Sequence, residues 1–121
     1  MQSQVRNGIL AAALTLGLIP VGLSATVPPR QQADTVYSGV VTDAMCGAKH
    51  DMGGGSPAEC VHMCVGGGSD YALVVGQKVY TLATKDKRVL ATLYKNAAKR
   101  IEVRGTLHGD TLTVHSVSPA R

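Results

Sequence analysis

The amino-acid sequence predicts a mainly β protein with two helices, an α+β domain in which five short strands form a small, partly open barrel. Three observations support this fold class. Runs of β-branched residues recur from residue 36 onward, turn residues separate them, and two stretches have the features of helices. An open α+β sheet with both helices on one face is the alternative.

The N-terminal segment 1–25 is predicted to be a secretory signal peptide. Arg6 precedes an apolar run at 8–19, a proline ends the run, and small residues follow. This run is shorter than the roughly 20 residues that span a bilayer, so we expect no stable membrane insertion after signal removal. The expected location is therefore periplasmic or extracellular, and an uncleaved anchor is the alternative.

A polar segment with a Pro-Pro pair, 26–35, is predicted to be a flexible linker to a single β-rich domain at 36–118. The first strand is predicted at 36–41, where Gly39 indicates a bulge or a sharp bend. A Cys/His insertion at 43–65 follows. Its first half is rich in glycine and is predicted to be a loop.

The second half of this insertion predicts a helix at 57–65. Ser56 stands at the N-cap, Pro57 at the first helical position and Glu59 three residues after the cap, which is a capping box. Three consecutive glycines, 66–68, end the helix.

The remaining elements are local patterns in the second half of the chain. Two strands, 71–75 and 78–82, are separated by a two-residue turn, and apolar residues at helical spacing predict a helix within 86–98. Two further strands, 100–107 and 111–117, form a hairpin. Its pattern V-x-G-T-L-x-G-D-T-L-x-V resembles the final hairpin of OB-type barrels, so the barrel is expected to be OB-like.

Composition limits both the core and the class of partner. The chain has no Trp and no Phe, so a small core must be built from aliphatic side chains and would benefit from a covalent or metal staple. The net charge of +4 is spread over mixed acidic and basic residues without interleaved aromatics, so we expect no nucleic-acid binding. The sequence names no partner and no oligomeric state.

The segment 43–64, DAMCGAKHDMGGGSPAECVHMC, contains all three cysteines. The spacing C-x3-H-x9-C-x3-C predicts a tetrahedral metal site with the ligands Cys46, His50, Cys60 and Cys64. Cys60 and Cys64 share a helix face because they are four residues apart, whereas His62 points elsewhere. Zinc fits this ligand set.

Three methionines in the same segment bear on the choice of ion: Met45, Met52 and Met63. Thioethers beside thiolates select copper(I), so the expected cofactor is a zinc or a copper ion. Methionine also fills gaps in cores, and this packing role is the favoured interpretation. Asp43 and Asp51 could support a ligating His50, although a turn or capping role is favoured for each.

A disulfide is the main alternative to the metal. A bond from Cys46 to Cys60 or to Cys64 would stabilise by about 3 kcal/mol and would leave one thiol over. Thiol catalysis, with a cysteine paired to His50 or His62, is the least favoured hypothesis because nothing in the sequence marks a substrate pocket.

Three motifs together resemble a family of small exported bacterial proteins of unknown function: GVVTDAMCGAKH at 39–50, CVHMCV at 60–65 and YALVVG at 71–76. The resemblance implies export and one compact β-rich domain, and it implies no activity. The favoured function is therefore non-catalytic metal binding, structural or sequestering. The alternative is a disulfide-stapled module that uses the barrel face to bind an oligosaccharide, a peptide or a protein.

Overall fold

A computed structural model of the chain describes Gly22, residues 33–50 and residues 54–121. The predicted signal peptide apart from Gly22, most of the predicted linker, and Asp51, Met52 and Gly53 lie outside the described residues, so the predictions made for them stay predictions. None of the described helices is long and apolar enough to cross a membrane.

Five strands and two helices make up the described part of the chain, as the sequence predicts. Each predicted element is present, and its bounds differ from the prediction by three residues at most at either end. In chain order the elements are β1 (Thr35–Asp43), α1 (Pro57–Gly66), β2 (Tyr71–Val75), β3 (Lys78–Ala83), α2 (Lys87–Lys95), β4 (Arg100–His108) and β5 (Thr111–Pro119).

The strands form one sheet in the order β1-β2-β3-β5-β4, and β4 returns to β1 to close a ring. Every neighbouring pair is antiparallel except β3 and β5, which run parallel over only three residue pairs. The mainly β fold with two helices is confirmed. The gap expected in a partly open barrel is bridged by this short parallel pairing.

Gly39 lies where β1 changes partners. Residues from Thr35 to Val40 pair with β4, and residues from Val40 to Asp43 pair with β2. A Cβ atom at Gly39 would collide with the backbone carbonyl of Val74, so no larger residue fits this position without displacing a strand. The bend that the sequence predicts at Gly39 is thus the point where one strand serves two parts of the ring.

Aliphatic side chains fill the ring. Strands β2, β4 and β5 supply fully buried side chains: Leu73, Ile101, Val103 and Leu112. The helices add buried side chains from outside the sheet, namely Val61 of α1 and Val89 and Leu93 of α2. Tyr71 of β2 is the aromatic side chain buried with them. Burial of this apolar surface supplies the main stabilisation of a domain that has no Trp and no Phe.

The capping box at the start of α1 is complete. Ser56 Oγ accepts a hydrogen bond from the N–H of Glu59 at 3.3 Å, and Glu59 Oε2 accepts one from the N–H of Ser56 at 2.7 Å. The hydrogen bond from the Ser56 N–H, together with a contribution from the Ser56 side chain, favours the ionised carboxylate and holds the pKa of Glu59 below its ordinary value. The cap therefore fixes where α1 begins, and with it the positions of the two cysteines on this helix.

Candidate metal centre

The loop after β1 is shaped by the last residue of that strand, Asp43, which is fully buried. Asp43 Oδ1 accepts hydrogen bonds from the N–H groups of Met45 at 3.0 Å and Cys46 at 2.9 Å. The backbone carbonyl of Asp43 accepts another from Gly47, whose positive φ of 60° suits glycine. This turn, the role that the sequence favours for Asp43, directs Cys46 toward α1.

Helix α1 supplies the other two thiols from one face. Cys60 and Cys64 lie one helical turn apart, as their spacing predicts. Cys60 is 5% exposed, whereas Cys64 and Cys46 are half-buried. The cluster therefore has a closed side at Cys60 and a side that solvent reaches.

The three sulfur atoms form a compact triangle. Cys46 Sγ lies 3.5 Å from Cys64 Sγ and 3.8 Å from Cys60 Sγ. A disulfide requires about 2.05 Å, so no pair of these cysteines is at disulfide distance, and the disulfide that the sequence offers as the alternative is absent from this structure. In contrast, zinc–sulfur bonds of about 2.3 Å in a tetrahedron place sulfur atoms about 3.8 Å apart.

His50 lies beside the triangle rather than over it. One of its ring nitrogens lies within 4.8 Å of ligand atoms of Cys46 and Asp43. Among the described residues, no group of ligand atoms within that distance of one another combines His50 with Cys60 or Cys64. The four-ligand set Cys46, His50, Cys60 and Cys64 stays a prediction.

Hydrogen bonds favour one tautomer of the neutral His50 ring. The hydroxyl of Thr42 donates to the carbonyl of Gly47, so its oxygen accepts from His50 Nε2, 3.2 Å away. In the neutral imidazole the proton is then on Nε2 and the lone pair is on Nδ1. His50 Nδ1 is buried and has no partner among the described residues.

The second oxygen of Asp43 was not foreseen as a ligand atom. Asp43 Oδ2 is buried without a hydrogen-bond partner in the described part of the chain. Asp43, Cys46 and His50 together form a second group of three possible ligands. The spacing D-x2-C-x3-H in the sequence is compatible with such a group of ligands. A role for Asp43 in the turn already explained this residue, so the sequence alone offers no reason to assign it as a ligand.

The thiols next to Asp43 are harder to ionise than ordinary cysteines. The hydrogen bond with Cys64 lowers the pKa of Cys46. Burial, the contact with Cys60 and the charge of Asp43 together raise this pKa by more, so the net shift is upward. The hydrogen bond from Cys46 raises the pKa of Cys64, with burial and the charge of Asp43 acting in the same direction. Without a cation, both therefore rest as neutral thiols at neutral pH.

The described methionines do not fill gaps in the core. Met45 is 73% exposed and Met63 is 70% exposed, and each directly precedes a cysteine of the cluster. The packing interpretation is wrong for these two because the aliphatic residues already fill the ring. Their thioethers lie at the surface on the chain segments that carry Cys46 and Cys64.

His62 faces away from the sulfur atoms, as its helix position predicts. Its ring stacks on Tyr94 of α2 with 4.0 Å between ring centroids. His62 belongs to none of the possible ligand groups found among the described residues. It helps to join the two helices instead.

Comparison of the chain with family models, curated proteins and solved structures gave no match. The resemblance to small exported bacterial proteins therefore stays an expectation. Function has to be argued from the site itself.

A separate open cavity of about 340 Å³ lies beside the parallel pairing of β3 and β5. No cysteine lines it. Its lining residues are Asp70, Thr81, Leu82, Ala83, Thr84, Lys85 and Thr111.

Proposed function

We propose that this protein is an exported metal-binding domain in which Cys46, Cys60 and Cys64 hold a zinc or copper(I) ion as thiolates. The role is structural or sequestering, without catalysis. The observation that carries the proposal is the triangle of sulfur atoms, in which Cys46 Sγ lies 3.5 Å and 3.8 Å from the other two.

The triangle supports metal binding because two separate elements build it. A loop held by Asp43 and a capped helix place Cys46 Sγ near the spacing of a zinc tetrahedron from each of the other two sulfur atoms, and no covalent bond holds them there. The fourth coordination position of the ion would be taken by solvent or by His50. His50 is the ligand that the spacing predicts, and its ring would have to shift to reach the ion. An ion would also tie the loop to the helix in a domain that lacks a disulfide among its described residues.

Different features of the site favour each ion. Three thiolates with a nitrogen or oxygen ligand nearby suit zinc. Copper(I) is favoured by an all-sulfur set, and the exposed thioethers of Met45 and Met63 add soft ligands next to it in the chain. The proposal therefore covers both ions and leaves the choice to measurement.

A thiol enzyme is less well supported. Reactive cysteines need a depressed pKa, whereas the surroundings raise the pKa of both Cys46 and Cys64. The cavity beside β3 and β5 is lined by other residues.

The cavity favours a second candidate function, the binding of an oligosaccharide, a peptide or a protein at the barrel surface. Its polar lining includes Lys85 and Asp70. In this case, protein with all thiols blocked would still bind its partner. Metal binding would be abolished by the same treatment.

Native mass spectrometry of protein purified without chelators or reductant tests the metal proposal. We expect added mass of zinc or copper that is lost on acidification, with three reactive thiols remaining. Cys60→Ser and Cys64→Ser each remove a ligand and should lower the metal affinity by more than about 10–100-fold. That range is typical for changes at residues that only hold a ligand in place. A protein lighter by two hydrogens and free of metal would contradict the proposal for the oxidised form.

His108→Ala is the matched control because His108 is an exposed residue at the far end of β4. It removes a histidine without touching the cluster and should leave metal content unchanged. Equal loss of metal in this variant and in Cys64→Ser would mean that binding is nonspecific.

A further inference from the structure

Two groups of possible ligands meet at one sulfur atom. Cys46 belongs to the triangle with Cys60 and Cys64, and it also belongs to the group with Asp43 and His50. In each group the ligand atoms lie within 4.8 Å of one another. Ligands of the loop and ligands of α1 therefore share Cys46 Sγ.

Asp43 is a buried acidic residue with an oxygen atom left unpaired by the described part of the chain. Its side chain is fully buried, and Oδ2 has no partner among the described residues. Among the described residues, the contact found between a carboxylate and a basic side chain joins Asp34 to His115 and does not involve Asp43. Buried carboxylates without a charged partner are costly, and in native proteins such groups are paired or bind metals.

His50 has one ring nitrogen held by Thr42 and the other one unpaired within the described residues, which is the arrangement of a metal-binding histidine. Its Nε2–H is directed to Thr42, which leaves the lone pair of Nδ1 buried and unused. Metal-binding histidines commonly donate their other ring N–H to a fixed acceptor, which orients the ring. Asp43 follows the same scheme, because Oδ1 is held by backbone N–H groups and Oδ2 is free.

The charges of the ligands favour two divalent ions over one. Three thiolates and the Asp43 carboxylate carry four negative charges in total. A single zinc ion would leave two of them uncompensated in a half-buried site, and a single copper(I) ion would leave three. Two divalent ions neutralise the set, which removes the cost of uncompensated buried charge.

We propose that the centre binds two divalent ions of the zinc class, bridged by Cys46 Sγ. The first ion lies in the triangle and rests on the function proposed above, whereas the second lies between Asp43, Cys46 and His50. Binding releases the thiol protons to solvent and involves no change of oxidation state. Each ion has three protein ligands, so solvent or an external ligand completes its coordination.

Zinc titration of the full chain under reducing conditions, followed by native mass spectrometry, counts the ions. We expect two zinc ions in the unaltered protein. Asp43→Asn keeps an oxygen to accept the loop N–H groups but removes the charge, so it should retain only the first ion. His50→Ala should do the same, and Cys64→Ser should lose the ion of the triangle. X-ray absorption should give a metal–metal distance of about 3.5–4 Å.

Asp70→Asn and His108→Ala are matched controls, since they remove the same side-chain types outside the cluster. Both should retain two ions. Circular dichroism of each variant checks that the fold persists, and with two independent variants of the second site the inference stays testable if one of them fails to fold.

The outcomes separate this inference from the proposed function. Absence of any bound ion in the unaltered protein would overturn both. If the unaltered protein binds only one zinc ion, the two-ion inference is overturned and a single metal site remains. This holds whether Asp43→Asn keeps that ion or loses it. Binding of copper(I) with no divalent ion would likewise overturn the two-ion inference. Two ions that persist in both variants would place the second ion elsewhere and overturn the inference.

Discussion

At the scale of single residues, Asp43 combines two demands that are hard to satisfy together. One oxygen shapes the loop through two backbone N–H groups, and the other is buried without a partner. Contacts among the sulfur atoms and burial are the leading influences on the pKa of Cys46 and Cys64, and the negative charge of Asp43 raises both values further. The same residue therefore makes the thiols harder to ionise in the absence of a cation and attracts a cation to the cluster.

Metal binding should strengthen as the pH rises. Because the pKa values of Cys46 and Cys64 are raised, an ion must displace protons from both thiols at neutral pH. We expect the apparent affinity to increase by about tenfold per pH unit for each proton displaced, until the pH passes the raised pKa values. Calorimetry in buffers of different ionisation enthalpy counts the protons released.

Asp43→Asn should lower the pH at which the affinity stops rising, because removal of the negative charge takes away one of the causes that raise the pKa of both thiols. Asp70→Asn serves as the control and should leave that pH unchanged. An affinity that is flat between pH 6 and pH 8 would show that the thiols are not the ligands.

At the scale of secondary-structure elements, the sequence predicted the molecule well because the information is local. The capping box of Ser56 and Glu59 and the final hairpin are fixed by neighbouring residues, and both are present. The positions of Met45 and Met63 were not predictable in the same way. Whether a methionine packs or is exposed depends on how much of the core other strands have already filled.

Loss of the cap of α1 should weaken the metal site as well as the helix. Ser56→Ala removes the acceptor for the Glu59 N–H and should cost about 1 kcal/mol of stability. Because α1 carries Cys60 and Cys64, fraying of its first turn should also lower metal affinity. Urea unfolding and metal titration measure the two effects, and Ser69→Ala, which lies outside the helix, is the control.

The cap also has a pH dependence with a defined sign. The folded-state pKa of Glu59 is lowered, so its contribution is present above the unfolded-state pKa and is lost as the pH falls through the folded-state value. Ser56→Ala keeps the backbone N–H that lowers the pKa of Glu59 most and removes the contribution of the Ser56 side chain, so this pKa should rise only part of the way toward its ordinary value. NMR titration of the Glu59 carboxyl would contradict the capping role if it found no difference between the two proteins.

At the scale of the whole molecule, the closed ring depends on a few positions where backbones approach closely. The sequence indicated a bend at Gly39, but the partner change itself depends on strands far apart in the chain. The same distinction applies to the metal centre. The cysteine spacing is readable locally, whereas the separation of His50 from Cys60 and Cys64 follows from how β1 and α1 pack.

Gly39→Ala should destabilise the protein by about 1–3 kcal/mol, the usual cost of overpacking. The added methyl group would meet the backbone of Val74, which cannot move without opening the pairing of β1 and β2. Gly66→Ala is the matched control, because a Cβ there meets nothing within 4 Å. Thermal unfolding of both variants should lower the melting temperature only for Gly39→Ala.

The short parallel pairing of β3 and β5 also has a consequence during synthesis on the ribosome. Strand β5 is the last of the described strands to emerge, and it is the one that joins β3 to β4. Until then the nascent chain already carries the cysteines and both helices but exposes two unpaired strand edges. Such edges associate readily with other chains, so a product truncated before Thr111 should aggregate although it contains every proposed metal ligand.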